Sequence, residues 1–187
     1  VHPAHVAEFV AAEVDELRRR ASHTGLPITA IELEGDVLLY VGLELVRRSR
    51  LSTRSPDGSM PVGAGLITTD GFAFENVPDL SVRPERVSWW LLCDLADFDS
   101  QAPTAELLRS DRTPLPREEW PADVKNGGIV DGHLQWDRPW FCRAGFREYH
   151  THPEHEDRPW DEIRGDGAPL HGLVLGLVTD LVDRFLL

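Results

Sequence analysis

The sequence predicts an α+β domain, an antiparallel β-meander flanked by an N-terminal and a C-terminal helix. Three observations lead there. Apolar residues recur at helical spacing near both ends, several aliphatic and β-branched runs lie between them, and no helix-length amphipathic stretch separates those runs. The third observation excludes a doubly wound fold, whose strands alternate with helices.

Val6, Phe9, Val10, Val14 and Leu17 recur at three- and four-residue steps, while Glu8, Glu13, Asp15 and Glu16 face elsewhere. This is an amphipathic helix over about residues 4–20, ended by Gly25-Leu26-Pro27. The runs 28–33 and 37–46 read as strands of a hairpin that turns at Glu34-Gly35-Asp36. Residues 52–65, rich in Pro and Gly, read as a long loop, with short strands over 65–69 and 71–75 after it. The run 87–95 is the most apolar and belongs inside the sheet, since such a strand needs cover on both faces. A turn from Asp97 to Pro103 and a Pro-rich irregular stretch through Pro121 follow, then a strand over 129–136 entered through Gly127-Gly128. Residues 170–187 close the chain as a helix that is apolar over most of its circumference. One meander over 28–136, with 87–95 internal and both helices packed on it, is therefore expected.

Length and composition fit a single domain over 1–187: 187 residues, 41% hydrophobic and 27% charged. The net charge of −13 excludes a nucleic-acid partner held through its phosphates, and the densest basic cluster, Arg47, Arg48, Arg50 and Arg54, reads as a solvated edge. No Gly-rich phosphate loop follows any strand. Asp180, Asp183 and Arg184 interrupt the apolar C-terminal run, so no membrane span is expected, and charges within 4–21 exclude a secretory signal. Cys93 lies in an apolar strand and Cys142 among polar neighbours, which reads as two independent reduced thiols of a cytoplasmic protein. The chain opens on Val1 and not on methionine, so it reads as a trimmed form or a piece of a longer protein.

The chemistry concentrates in residues 136–165. Three of the eight histidines, His150, His152 and His155, fall within six residues. On an extended segment Glu148, His150 and His152 leave the same face, and a fold-back at Ala144-Gly145 sets Cys142 opposite Glu148. A thiolate, a carboxylate and two imidazoles make a mixed ligand set suited to tetrahedral zinc. His155 and Glu156 are substitutes within that set. The plainer reading is an acidic loop in which Glu148 pairs with Arg143 or Arg147. The spacing His150-x-His152-x-x-x-Glu156 also approximates the first motif of the cupin barrels. Those barrels need a later His-bearing strand, whereas only 22 residues follow Gly165 and they read as a helix. Trp136, Trp140 and Trp160 either roof the site or pin a loop.

The series Cys142, Glu148, His150, His152, followed by Pro153 and by Asp157-Arg158-Pro159-Trp160, resembles a bacterial domain family predicted to bind metal and named for those four residues. Members occur in gene neighbourhoods encoding ubiquitin-like proteins, their activating enzymes and JAB-type peptidases. The resemblance implies a bacterial zinc-binding accessory whose partners are proteins of a ubiquitin-like modification system. The element order, with Asp97-Phe98 to Pro103 and a lone cysteine after the meander, also looks like the ubiquitin-conjugating fold. That likeness implies a thioester nucleophile at Cys142, although the family's Asn-bearing catalytic tripeptide does not precede it.

Three functions stay open on the sequence. One is a zinc module closed by Cys142, Glu148, His150 and His152. The second is a metal-dependent hydrolase with Glu148 or Glu154 as base. The third is thiol chemistry at Cys142 activated by His150 or His152.

Overall fold

The computed structural model describes residues 3–47, 85–98, 100–121, 128–155, 159–165 and 169–186. The expected loop 52–65, the short strands 65–69 and 71–75, Arg48, Arg50, Arg54, Glu156, Asp157 and Arg158 lie outside them. The N-terminal periodicity forms α1 (Pro3–Thr24), which ends where Gly25 takes a φ of 67°. Strands β1 (Ile28–Glu34) and β2 (Leu38–Arg47) pair antiparallel through a turn in which Gly35 and Asp36 both adopt a φ of 59°. Left-handed backbone at two successive positions suits glycine and aspartate, so the hairpin sits where Glu34-Gly35-Asp36 places it.

Strand β3 (Glu85–Asp94) pairs with β2 on one side and with β4 (Thr104–Arg109) on the other, giving the order β1-β2-β3-β4. The apolar run 87–95 is thus internal, as expected. The register aligns Leu39 with Cys93 and Ala105, and Val41 with Leu91 and Leu107. Leu39, Val41, Leu43, Leu45, Trp89, Leu91, Cys93 and Leu95 are all buried, the period-two signature of one covered face. α1 covers that face with Val10, Val14 and Leu17.

The chain then differs from its sequence reading in two places. β4 falls in a stretch expected to be irregular, and the strand expected over 129–136 is only β5 (Ile129–Val130), because Gly132 turns the chain at a φ of 81°. β5 pairs antiparallel with β6 (Trp140–Phe141) in a separate two-stranded sheet, so the meander expected to run to 136 ends at β4. Two short helices, α2 (Arg147–His150) and α3 (Trp160–Gly165), lead to the closing helix α4 (Leu170–Leu186). Leu170, Leu173, Val174, Leu177, Val178 and Leu181 of α4 are buried at three- and four-residue steps against α1 and β2. Each such side chain contributes about 1.5–3 kcal/mol when fully buried. Glu13 ties the two helices: its Oε2 accepts from the His171 backbone N–H at 3.2 Å and lies 2.7 Å from His171 Nδ1.

On the opposite face Tyr40 and Trp90 are half-buried, and the Arg112 guanidinium lies 4.5 and 4.4 Å from their ring centres while pairing with Glu32. Among the described residues no helix is long and apolar enough to cross a membrane.

Candidate functional site

Cys142 is placed by the small β5–β6 ladder. Its N–H donates to Gly128 O at 2.9 Å, which extends the pairing of Ile129 with Phe141 and of Val130 with Trp140 by one step. The turn that follows is docked on α4. Gly145 has a φ of 101°, and a Cβ there would drive into Leu173, so both backbone and space demand glycine. Arg143 lies across α4 at Gly176, where a side chain would collide with its guanidinium, and pairs with Asp180.

From that turn the chain enters a four-residue helix, α2, and not the extended segment expected. The parity argument that put Glu148, His150 and His152 on one face fails with it, because residues two apart on a helix diverge. Glu148 is fully buried. Its Oε1 accepts from the Ala105 N–H at 3.2 Å and from Arg138 Nη2 at 2.7 Å, while Arg138 Nη1 donates to Ala105 O at 3.3 Å. Carboxylate, guanidinium and the Ala105 peptide close a three-way clasp between α2, the segment before β6 and the outer side of β4. Burial pushes the Glu148 carboxyl above the ordinary glutamate range, and Arg138 opposes that rise without cancelling it. Among the described residues its Oε2 has no hydrogen-bond partner. The arginines read as its partners act elsewhere: Arg143 pairs with Asp180, and Arg147 donates to Ala96 O at 2.8 Å and Ala102 O at 2.9 Å.

His133 fixes the other side of the same helix. Its Nδ1 accepts from the Gln135 N–H at 3.0 Å, which leaves Nε2–H to donate to Glu148 O at 3.0 Å. The buried Trp140 ring meets His133 edge-on and stacks on His152. Trp136 also contacts His133, and Trp160 contacts His150, so all three tryptophans border the histidines.

The side chain that reaches Cys142 is His155, with Nε2 3.3 Å from Sγ. After α2 the chain folds back: the His152 N–H donates to Tyr149 O at 3.3 Å and the His155 N–H to His152 O at 3.0 Å. A single 3₁₀ turn, Pro153–His155, completes the return. Cys142 is half-buried, and that burial first, then the charge of Glu154, pushes its thiol above the ordinary cysteine value. That rise favours the thiol over the thiolate. Cys93, by contrast, is fully buried in the sheet, and that burial first, then the charge of Glu148, pushes its thiol up.

The four residues expected to share zinc are therefore spent separately. Glu148 serves Arg138 and Ala105, His150 Nε2 accepts from the Gly145 N–H at 3.1 Å, His152 Nδ1 accepts from the Glu154 N–H at 3.3 Å, and Cys142 faces His155. Among the described residues no three His, Cys, Asp or Glu side chains converge to hold a metal ion. No protein-family model matches the chain, and no curated protein matches it. His133, Arg138 and Tyr149 carried no sequence signal of their own; His155 did, through its place in the histidine cluster.

Proposed function

We propose that Cys142 is the nucleophile of a thiol acyl-transfer centre and that His155 is its base. The observation that carries this reading is the 3.3 Å approach of Cys142 Sγ to His155 Nε2 at a half-buried position. With the imidazole proton on Nδ1, Nε2 takes the thiol proton as sulfur attacks the carbonyl carbon of an activated acyl group. The tetrahedral intermediate then expels the donor's leaving group, which departs with the proton from His155, and the acyl group remains as a thioester on Cys142. A raised thiol pKa makes a base necessary, since little thiolate exists beforehand.

The chain order supports a protein modifier as the acyl group. A helix, a four-stranded meander, a cysteine after it and closing helices is the order seen in the resemblance to ubiquitin-conjugating enzymes. Partners would then be a ubiquitin-like protein and its activating enzyme. Two free cysteines support a reducing, cytoplasmic setting.

A second reading, a zinc-binding module, is favoured by one distance. Two donors on a tetrahedral zinc stand about 3.5 Å apart, close to the 3.3 Å between Cys142 and His155, and the His152 ring centre is 5.4 Å from that of His155. One experiment separates the two. The purified chain is incubated with a peptide thioester and examined by intact mass and elemental analysis. A hydroxylamine-labile acyl adduct on Cys142, slowed in His155→Ala and absent in Cys142→Ala, is expected. Stoichiometric zinc with an inert thiol would establish the module instead.

A further inference from the structure

A histidine base is ordinarily oriented by a hydrogen bond from its second ring nitrogen to a third group. His155 has none of this kind among the described residues: its imidazole makes one hydrogen bond, to Cys142, and no carboxylate or carbonyl takes Nδ1. What faces it is a ring. The Tyr149 phenol stacks on the His155 imidazole with centroids 4.1 Å apart and planes 7° apart. His152 lies farther from that imidazole, at 5.4 Å and tilted by 42°, and in turn stacks on Trp140.

We propose that Tyr149 is the positioning residue of this site, its ring face setting the plane in which His155 presents Nε2 to Cys142. The inference rests on the Cys142–His155 reading given above. The backbone supports it independently of side-chain chemistry. Tyr149 is held at the start of the return, because its N–H donates to Phe146 O at 3.1 Å and its carbonyl accepts the His152 N–H. The neighbouring Glu148 is clasped to β4, so the helix carrying the phenol cannot drift from the sheet. His155 arrives over Tyr149 through one turn and one 3₁₀ turn. The device is thus local, contained in residues 146–155, and requires an aromatic face and not a hydroxyl.

The test is alkylation of Cys142 by iodoacetamide in the full chain at fixed pH, located by peptide mass, with melting curves for each variant. Tyr149→Leu slows alkylation about three- to tenfold, the range of an aromatic pair's energy expressed as a rate, and Tyr149→Phe restores it to within about twofold of wild type. His155→Ala slows it at least as much as Tyr149→Leu. Alkylation of Tyr149→Leu at the wild-type rate, with His155→Ala slowed, overturns the positioning role alone. An unchanged rate in His155→Ala overturns the underlying pair. A Tyr149→Phe variant as slow as Tyr149→Leu also overturns the proposal, because the hydroxyl and not the ring would then matter. A measurement on the wild type guards against misfolding of the variants: the His155 ring protons are expected upfield from the Tyr149 ring current, and unshifted resonances in the folded protein would refute the stack.

Discussion

The sheet with its two long helices and the segment 128–155 are held together by different physics. In the first, Leu39, Val41, Leu91, Cys93 and Leu107 meet α1 and α4 through a face of alternating apolar residues, where many equivalent contacts share the work. In the second, a few directional contacts decide the conformation: the Glu148–Arg138–Ala105 clasp, the hydrogen bonds of His133 to Glu148 O and the Gln135 N–H, and the docking of Gly145 and Arg143 on α4. A face of apolar contacts tolerates loss gradually. A clasp is lost all at once. The comparison teaches that stability and site geometry are separable here, and substitutions can show it.

The largest effect is expected at the centre of the sheet. Leu91→Ala removes a fully buried side chain between β2 and β4 and should cost about 4 kcal/mol, measured by urea unfolding. The native fraction should still alkylate Cys142 at the wild-type rate. Glu148→Ala comes next, at about 3 kcal/mol, since it removes the carboxylate nearest Arg138 and leaves the Ala105 N–H without its acceptor. Unlike Leu91→Ala, it should also disturb the Cys142–His155 approach, so its alkylation rate should change in the folded state. Equal behaviour of the two variants would dissolve the distinction between regions.

Glu148→Gln sharpens it further. The buried carboxyl holds its proton more tightly in the folded chain than in the unfolded one. Folding is therefore favoured by this group at low pH, and that contribution is lost as pH rises from the ordinary glutamate range through the elevated folded value. Wild type should lose stability across that window relative to Glu148→Gln, by about 1.4 kcal/mol for each unit the pKa is raised, in paired melting curves. The smallest effect is expected for Cys142→Ser. A half-buried thiol replaced by a hydroxyl should cost under about 1 kcal/mol, whereas loss of a structural zinc would cost several. A large fall in melting temperature would favour the zinc module. Alkylation of wild-type Cys142 should also rise with pH to a midpoint above that of an ordinary cysteine.

How much the sequence disclosed follows the same division. Alternation and helical period mark β2, β3, α1 and α4 because those elements bury a face, and burial writes itself into spacing. β4 was hidden: in Thr104–Arg109 both Leu107 and Leu108 are buried, which breaks the alternation. α2 was misread because Glu-Tyr-His-Thr-His alternates like a strand, while a tertiary contact at Glu148 and the left-handed Gly145 bend it into a helical turn. The approach of His155 to Cys142 spans 13 residues through a turn, a helix and a 3₁₀ turn, and no periodicity encodes such a path. The sequence groups Cys142 with the histidines in one segment, and the path of the chain decides which of them approaches the thiol.

The Glu148 clasp has a consequence beyond the site. β4 is the last strand of its sheet, and an outermost strand offers its bare peptide groups to any other chain able to pair with it. Here its outward groups are taken in series by the protein's own chain: Pro103 O by the Arg147 N–H, Ala105 by Glu148 and Arg138, Leu107 O by the Leu115 N–H, and the Arg109 N–H by Thr113 O. Among the described residues, it is at Ala105 that side chains stand in for backbone. Glu148 and Arg138 thus cover the Ala105 peptide, and a chain without Glu148 would leave the Ala105 N–H in the middle of that edge open to a neighbouring strand.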